Sequence, residues 1–242
     1  MIKFFRHIRK SLIEENKMGK YFKYAIGEII LVVIGILIAL QINNWNEQKK
    51  IVEKEKQALT EIVSDLNAII IRLEEMKFKE KYSISNNINS LNIIINHLER
   101  KKPYQDSLKT HFFKCFTYPN PLFKTSGYET LSSMGMDVIL DNKLRSEIGL
   151  FFTKSTATVD GQYRELRDDF YNYMLTFLKT EFTYKNDTEL FPENYQNLKN
   201  NVEFLQSLRI YVRVYNSYLR ATNTALKDTK ALKKLIHLYL KK

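Results

Sequence analysis

The chain of 242 residues contains only seven glycines and four prolines. So few turn-forming residues exclude a β-rich domain with many tight turns and favour long helices with few connections. The formal charge of +11 suits either nucleic acid or anionic lipid. Because the sequence carries no recognisable nucleic-acid motif, we predict no nucleic-acid partner and attribute much of the charge to attraction by anionic lipid.

The apolar run between Tyr24 and Ile42 is the most informative segment of the chain. As a helix its 19 residues span roughly 28 Å, close to the roughly 30 Å hydrocarbon core of a bilayer. We therefore predict a transmembrane helix over residues 24–42. The alternative is a cleaved signal peptide, since the strictly apolar stretch is as short as a signal h-region. The long preceding segment and the lack of a small-x-small cleavage site favour a retained anchor.

The distribution of basic residues around this run predicts its orientation. Seven Lys or Arg residues precede the run and four follow it closely, so the positive-inside rule puts the N-terminus in the cytoplasm. Residues 1–23 then form a cytoplasmic basic segment, whose stretch from Ile2 to Ile13 is amphipathic and suits the membrane surface. Residues 43–242 form an extracytoplasmic domain. The predicted location is the inner membrane, crossed once, with the large domain in the periplasm and the lipid bilayer as a partner.

Amphipathic residues mark both ends of the predicted span. Trp45 suits the far interface, and Tyr21 and Tyr24 suit the near one. Near the other end of the chain, lysines either face the lipid headgroups or simply favour the C-terminus of a helix. These lysines are Lys233, Lys234, Lys241 and Lys242.

Three residues of the span are predicted to pack against a partner helix. Glu28 lies about one turn inside the cytoplasmic end, where a carboxylate is costly unless it is neutral, paired or near the headgroups. It either pairs with Lys20 or Lys23 or contacts another helix. Gly35 and Ala39 form a small-xxx-small pair, which permits close helix approach.

Apolar residues recur at spacings of three and four along four segments of the remaining chain. This pattern predicts an all-α fold in which the N-terminal transmembrane helix continues into an antiparallel helical bundle. An intermolecular coiled coil is the alternative for the first and last segments. The first stripe comprises Val52, Leu59, Ile62, Leu66, Ile69, Leu73 and Met76, with Glu55 in the one missing place, and the second comprises Ile84, Ile88, Leu91, Ile95 and Leu98. The third comprises Leu166, Phe170, Tyr173 and Phe177, and the fourth runs from Leu205 to Tyr239.

Residues 103–143 break this periodicity and predict a short helical insertion. Ser126 and Glu129 have the spacing of a capping box, so a helix should begin there and end at Gly135. Asp141 should cap the next helix. Structural packing is the expected role of the insertion, although a ligand or partner site would most readily lie here.

The segment MIKFFRHIRKSLIEENKMGKYFKYAIGEIILVVIGILIALQINNWNEQKK closely resembles the N-terminus of an uncharacterised family of Bacteroidota membrane proteins. The family is known only as a domain of unknown function. The segment YETLSSMGMDVILDNKLRSEI resembles its second typical block. The resemblance implies an integral membrane protein with a helical extracytoplasmic domain, and it carries no functional residues over.

We predict no catalytic, cofactor or metal site. His111 and Cys115 share a helical face, but two ligands do not make a site. The adjacent carboxylates at residues 74–75 and 168–169 point apart on a helix, so neither forms an acid–base pair. The sequence lacks the common catalytic motifs. The single cysteine excludes an intramolecular disulfide bond.

Our first hypothesis is a non-enzymatic interaction or scaffold module with a protein partner or a second copy of the chain. The second is a ligand-sensing bundle that signals through the membrane helix to a partner, with a pocket lined by the aromatic residues of segment 112–118. An envelope enzyme or nuclease is the third hypothesis, and it requires a polar cluster that only the fold could bring together.

Overall fold

A computed structural model of the protein describes residues 18–241, without the side chain of Tyr21. The predicted amphipathic stretch between Ile2 and Ile13, the interface role of Tyr21 and the predicted role of Lys242 lie outside the described residues. The chain divides after Lys54 into an N-terminal unit and a second unit that begins at Glu55.

Helix α1 spans Met18–Glu74 and contains the whole predicted transmembrane run. Its apolar part is long and apolar enough to cross a membrane by length and composition, and none of it is buried within the protein. From Glu55 onward the same helix buries one face, and Leu59, Ile62 and Leu66 are fully inaccessible to solvent. Val52, which we assigned to this stripe, is half exposed and lies in the N-terminal unit.

The second unit is mostly helical, as predicted. After a π-helical turn at Glu75–Lys79 come α2 (Ile84–Glu99), α3 (Leu108–Cys115), α4 (Ser126–Met134) and a 3-10 turn (Met136–Val138). Then follow α5 (Asn142–Leu150), a π turn (Phe151–Ser155), α6 (Thr156–Asp169), a π turn (Phe170–Met174) and α7 (Leu175–Glu181). Strands β1 (Phe182–Asn186) and β2 (Glu189–Pro192) precede α8 (Tyr195–Asn200) and α9 (Val202–Tyr239).

Helix α9 runs antiparallel to the bundle part of α1. In its C-terminal third, Lys230 pairs with Glu74 at 3.0 Å, and at its end the Tyr239 hydroxyl donates to Glu55 at 2.9 Å. Of the predicted fourth stripe of α9, Leu208, Tyr215 and Ile236 are inaccessible to solvent, whereas Leu205, Val212 and Leu219 are only partly buried. The neighbouring residues Phe204, Tyr211 and Tyr218 are buried instead. The predicted antiparallel bundle is therefore confirmed for the helices at both ends of this unit.

The predicted burial of one residue of the third stripe was wrong. Tyr173 is 60% exposed, and Met174 takes the buried position with 1% exposure. The reason is the π turn at Phe170–Met174, which inserts one residue relative to an α-helix and delays the return of the chain to the core. The spacing of three and four assumes an uninterrupted α-helix.

A small antiparallel hairpin was not predicted. Phe182 pairs with Pro192 and Tyr184 with Leu190, and the inward side chains Phe182 and Leu190 are buried. The turn is held by Asn186, whose side-chain oxygen accepts from the Thr188 backbone N–H at 2.9 Å. Strands this short carry too few alternating positions to distinguish them from helix by pattern.

The two predicted helix caps had different outcomes. Asp141 accepts from the Leu144 backbone N–H at 2.8 Å and caps α5, as predicted, and α4 ends at Gly135, also as predicted. The capping box was wrong, because the Ser126 hydroxyl donates to Asp65 at 3.4 Å and does not accept from Glu129. A side chain from α1 takes over the capping role.

Candidate functional site

The predicted packing residues of the membrane helix share one face of α1. Seven- and eleven-residue spacings place Glu28, Gly35 and Ala39 within roughly 40° of one another around the axis. Gly35 and Ala39 are exposed, and a Cβ added at Gly35 would meet nothing within 4 Å. Trp45 is 65% exposed. Gly35, Ala39 and Trp45 are therefore accessible to lipid or to another helix. The packing roles of Glu28, Gly35 and Ala39 stay predictions.

In the second unit, three charged residues of α1 hold the backbone of the insertion, and we call them the insertion clamp: Glu55, Asp65 and Arg72. Asp65 is the most buried, with no exposed surface. Its carboxylate accepts from the backbone N–H groups of Gly127 at 2.7 Å and Tyr128 at 3.1 Å. The first N–H groups of a helix have no acceptor within that helix. Asp65 supplies one for α4, so it caps the helix, and its negative charge complements the helix dipole.

Helix α4 approaches α1 closely at this point. A Cβ added at Gly127 would lie 2.8 Å from the carbonyl carbon and oxygen of Glu61 and 2.9 Å from the Asp65 carboxylate. Only glycine fits that spacing, because the Glu61 atoms belong to the backbone of α1. The only charged partner of Asp65 in the described residues is Lys124, whose ammonium lies 3.5 Å away and is half exposed.

Glu55 fills the gap in the first apolar stripe and is only 5% exposed. Its carboxylate accepts from the Leu140 backbone N–H at 2.7 Å and from the Tyr239 hydroxyl at 2.9 Å. Burial, the hydrogen bond to Glu55 and the negative charge of Glu55 raise the pKa of Tyr239 to about 12. Glu55 therefore joins three separate segments of the bundle.

Arg72 binds the proline-rich turn of the insertion. Its guanidinium donates to the carbonyls of Asn120 at 3.0 Å and Pro121 at 3.2 Å, and it also pairs with Glu80. Because proline has no N–H group, this turn cannot form the regular backbone hydrogen bonds of a helix or a sheet. Side chains therefore donate to its carbonyl groups instead. Tyr218 donates to the Pro119 carbonyl at 3.0 Å in the same way.

Sequence reasoning noticed the position of Glu55 but missed the clamp. Asp65 lies three residues after Ile62 and four before Ile69, which places it on the buried face of α1. A carboxylate on a buried face must have hydrogen-bond partners, and this was the available signal. The partners themselves lie about sixty residues away in the chain, so no local pattern identifies them.

A second feature is an open groove of about 570 Å³ along α9, which we call the alanine groove. One wall carries Ala221, Thr224 and Ala231 of α9, and the other carries Leu150 and neighbouring residues up to Thr158. Small side chains on α9 leave the space between the two walls unfilled. At its floor the Ser155 hydroxyl donates to Asp228 at 2.8 Å.

A smaller cavity of about 240 Å³ lies where Tyr173, Ile210 and Tyr211 meet Asp169 and Ser207. Burial, followed by the charges of Glu165 and Asp168, raises the pKa of Asp169. The aromatics of segment 112–118, which the ligand-sensing hypothesis requires to line a pocket, pack into the core. Phe112 and Phe116 contact Phe182, and Tyr118 contacts Phe170.

His111 and Cys115, the pair considered as metal ligands, lie on the same helix but in different surroundings. The His111 ring contacts the Ser90 hydroxyl at 3.1 Å, whereas Cys115 is fully buried, which raises the pKa of its thiol. Within residues 18–241 no three His, Cys, Asp or Glu side chains are grouped to hold a metal ion. Glu74 pairs with Lys79 at 2.8 Å as well as with Lys230, and these partners lower its pKa.

Comparison with known proteins gives one match. The profile of a family of unknown function, DUF6090, matches residues 28–159, which is more than half of the chain. The matched region includes Glu28, Gly35 and Ala39 and the whole insertion clamp. No curated protein and no solved structure matches the chain.

Proposed function

We propose that this chain, which belongs to the DUF6090 family of unknown function, is a single-pass membrane protein whose helical bundle serves as a non-enzymatic interaction or scaffold module. The apolar part of α1 is the proposed anchor. The excess of basic residues before it supports a cytoplasmic N-terminus and a periplasmic bundle in the inner membrane. A protein partner or a second copy of the chain would be bound by the bundle, by the anchor, or by both.

The alanine groove carries this proposal. It is an open groove, and its α9 wall combines small side chains with two leucines and Asp228. An amphipathic helix binds such a groove by inserting apolar anchors at spacings of three and four. Leu150 is 53% exposed on the opposite wall, where such a partner would cover it.

Filling the groove is expected to abolish partner binding. Thr224→Trp puts an indole into the space that the partner helix would occupy, and Asn223→Trp, one residue away on α9, is the matched control because it points elsewhere. We expect at least a tenfold loss of the co-purifying partner for Thr224→Trp and none for Asn223→Trp. The measurement is affinity purification of the tagged full-length protein from its native host in mild detergent, with quantitative mass spectrometry.

Two results would contradict the assignment of partner binding to the bundle. One is a wild-type protein that is strictly monomeric and co-purifies no partner. The other is retention of the partner by Thr224→Trp while Gly35→Leu, on the exposed face of the anchor, removes it. That second result would mean that the membrane helix, and not the bundle, binds the partner.

The small cavity at Asp169 favours ligand sensing as a second candidate function. A carboxylate beside Tyr173 and Tyr211 suits a cationic amine, since aromatic faces and negative charge both attract ammonium. At a hundredfold excess over Kd, an amine ligand is expected to raise Tm by roughly 5 °C. Asp169→Asn should remove the shift. A thermal-shift screen in which no small amine stabilises the protein would count against sensing at this cavity.

A further inference from the structure

The end of α9 carries a basic surface, which we call the C-terminal basic patch: Lys230, Lys233, Lys234, His237 and Lys241. These residues surround an open basin of about 500 Å³ whose remaining lining residues are Ile70 and Leu238. No acidic side chain lines the basin. The local charge is therefore strongly positive.

Most of this charge is uncompensated. Lys230 is neutralised by Glu74 at 3.0 Å. Lys233, Lys234 and Lys241 form no ion pair with any residue in the described part of the chain. Three lysines within nine residues repel one another, so a counter-charge from outside the protein is the natural partner.

Helix-end chemistry does not account for the patch. Lysines stabilise a helix C-terminus only within its last turn. Lys233 and Lys234 precede the end of α9 at Tyr239 by more than one turn. In addition, Leu238 is 54% exposed among the cations. An exposed leucine ringed by lysines is the arrangement of a surface that lies at a lipid–water interface, where lysine heads reach the phosphates and the apolar residue enters the acyl boundary.

We propose that the C-terminal basic patch binds the headgroups of anionic phospholipids, with Leu238 inserted between them. This inference rests on the proposed membrane anchorage of the chain and is independent of the alanine groove. Covalent tethering to a bilayer raises the local concentration of lipid headgroups, so weak individual contacts suffice.

A fluorophore on the patch tests this directly in the full chain. His237→Cys provides an exposed thiol, and labelling is selective because Cys115 is fully buried. The labelled protein is reconstituted in nanodiscs of phosphatidylcholine alone or with about one-third phosphatidylglycerol, each containing a headgroup spin-labelled lipid. We expect about threefold stronger quenching in the anionic discs, and high salt should reverse it.

A matched pair of triple variants identifies the residues responsible. Replacing Lys233, Lys234 and Lys241 by glutamine should remove the anion-dependent quenching, since each lysine near an anionic surface contributes roughly a fivefold preference. Replacing Lys81, Lys179 and Lys185 by glutamine removes the same charge elsewhere and should leave the quenching unchanged.

Equal quenching in the two lipids would overturn the lipid assignment, and so would an equal loss in both triple variants. If the protein failed to co-elute with the discs, the anchorage would be wrong, and the inference that rests on it would fail as well. If the protein is incorporated but its quenching does not depend on anionic lipid, only the proposed lipid binding by the patch would be wrong.

Discussion

Replacing Asp65 by alanine is expected to lower the free energy of unfolding of the bundle by about 3 kcal/mol. The substitution removes the cap of α4 and leaves the N–H groups of Gly127 and Tyr128 without an acceptor in a buried place. Asp65→Asn should cost about half as much, because one oxygen of Asp65 accepts from both N–H groups and an amide oxygen in its place keeps these bonds. What the amide loses is the negative charge that faces the helix dipole and Lys124. Denaturant unfolding in detergent, followed by tyrosine near-UV circular dichroism, measures the difference.

The control for this prediction is Asn67→Ala, two residues further along the same helix and exposed. Its effect should stay within about 0.5 kcal/mol. Hydrogen exchange adds a local measurement: in Asp65→Ala, protection should fall first in α4 at Ser126–Met134. Equal stability of the Asp65→Ala and Asn67→Ala proteins would show that Asp65 does not hold the insertion.

Replacing either of two glycines by alanine adds one methyl group, and the two replacements should change the free energy of unfolding in opposite directions. Gly127→Ala forces its Cβ against the Glu61 backbone, which cannot yield, so we expect a loss of about 2 kcal/mol. Gly161, inside α6, has nothing within 4 Å of an added Cβ. Gly161→Ala should therefore gain about 0.5–1 kcal/mol through helix propensity.

The sign of this difference is the test. If both alanine variants were stabilised, the close approach of α4 to α1 would be wrong. Combining Asp65→Ala with Gly127→Ala should cost less than the sum of the two, because each change loosens the same junction and the second acts on contacts already lost. The unfolding measurement used for Asp65 serves here as well.

Local patterns in the sequence predicted the parts of the fold that depend on local rules. The spacing of Leu59, Ile62 and Leu66 predicted a buried helical face, and Asp141 was recognised as a cap because its partner lies three residues away. The cap of α4 was misassigned to Ser126, since a local candidate was present and the actual acceptor, Asp65, lies 61 residues earlier in the chain. A local rule cannot choose between a near acceptor and a distant one.

Local sequence rules were also insufficient to predict which side chains fill the interior of the bundle. Tyr173 and Met174 are neighbours with comparable apolar character, and only the π turn decides which of them is buried. That turn depends on packing of the whole helix rather than on a residue with strong propensity. Likewise, the alanine groove arises from small residues on α9 opposite Leu150, and their spatial relation follows from tertiary packing alone.

Trp45 has a further consequence for experiments on this protein. It is the only tryptophan of the chain, and it belongs to the unit that ends at Lys54, whereas tyrosines are distributed through the bundle. Tryptophan emission therefore reports on the N-terminal unit alone, and tyrosine signals report mainly on the bundle. Two spectral bands of one unlabelled sample thus follow two parts of the molecule, and coincident or separate transitions reveal whether these parts lose their structure together.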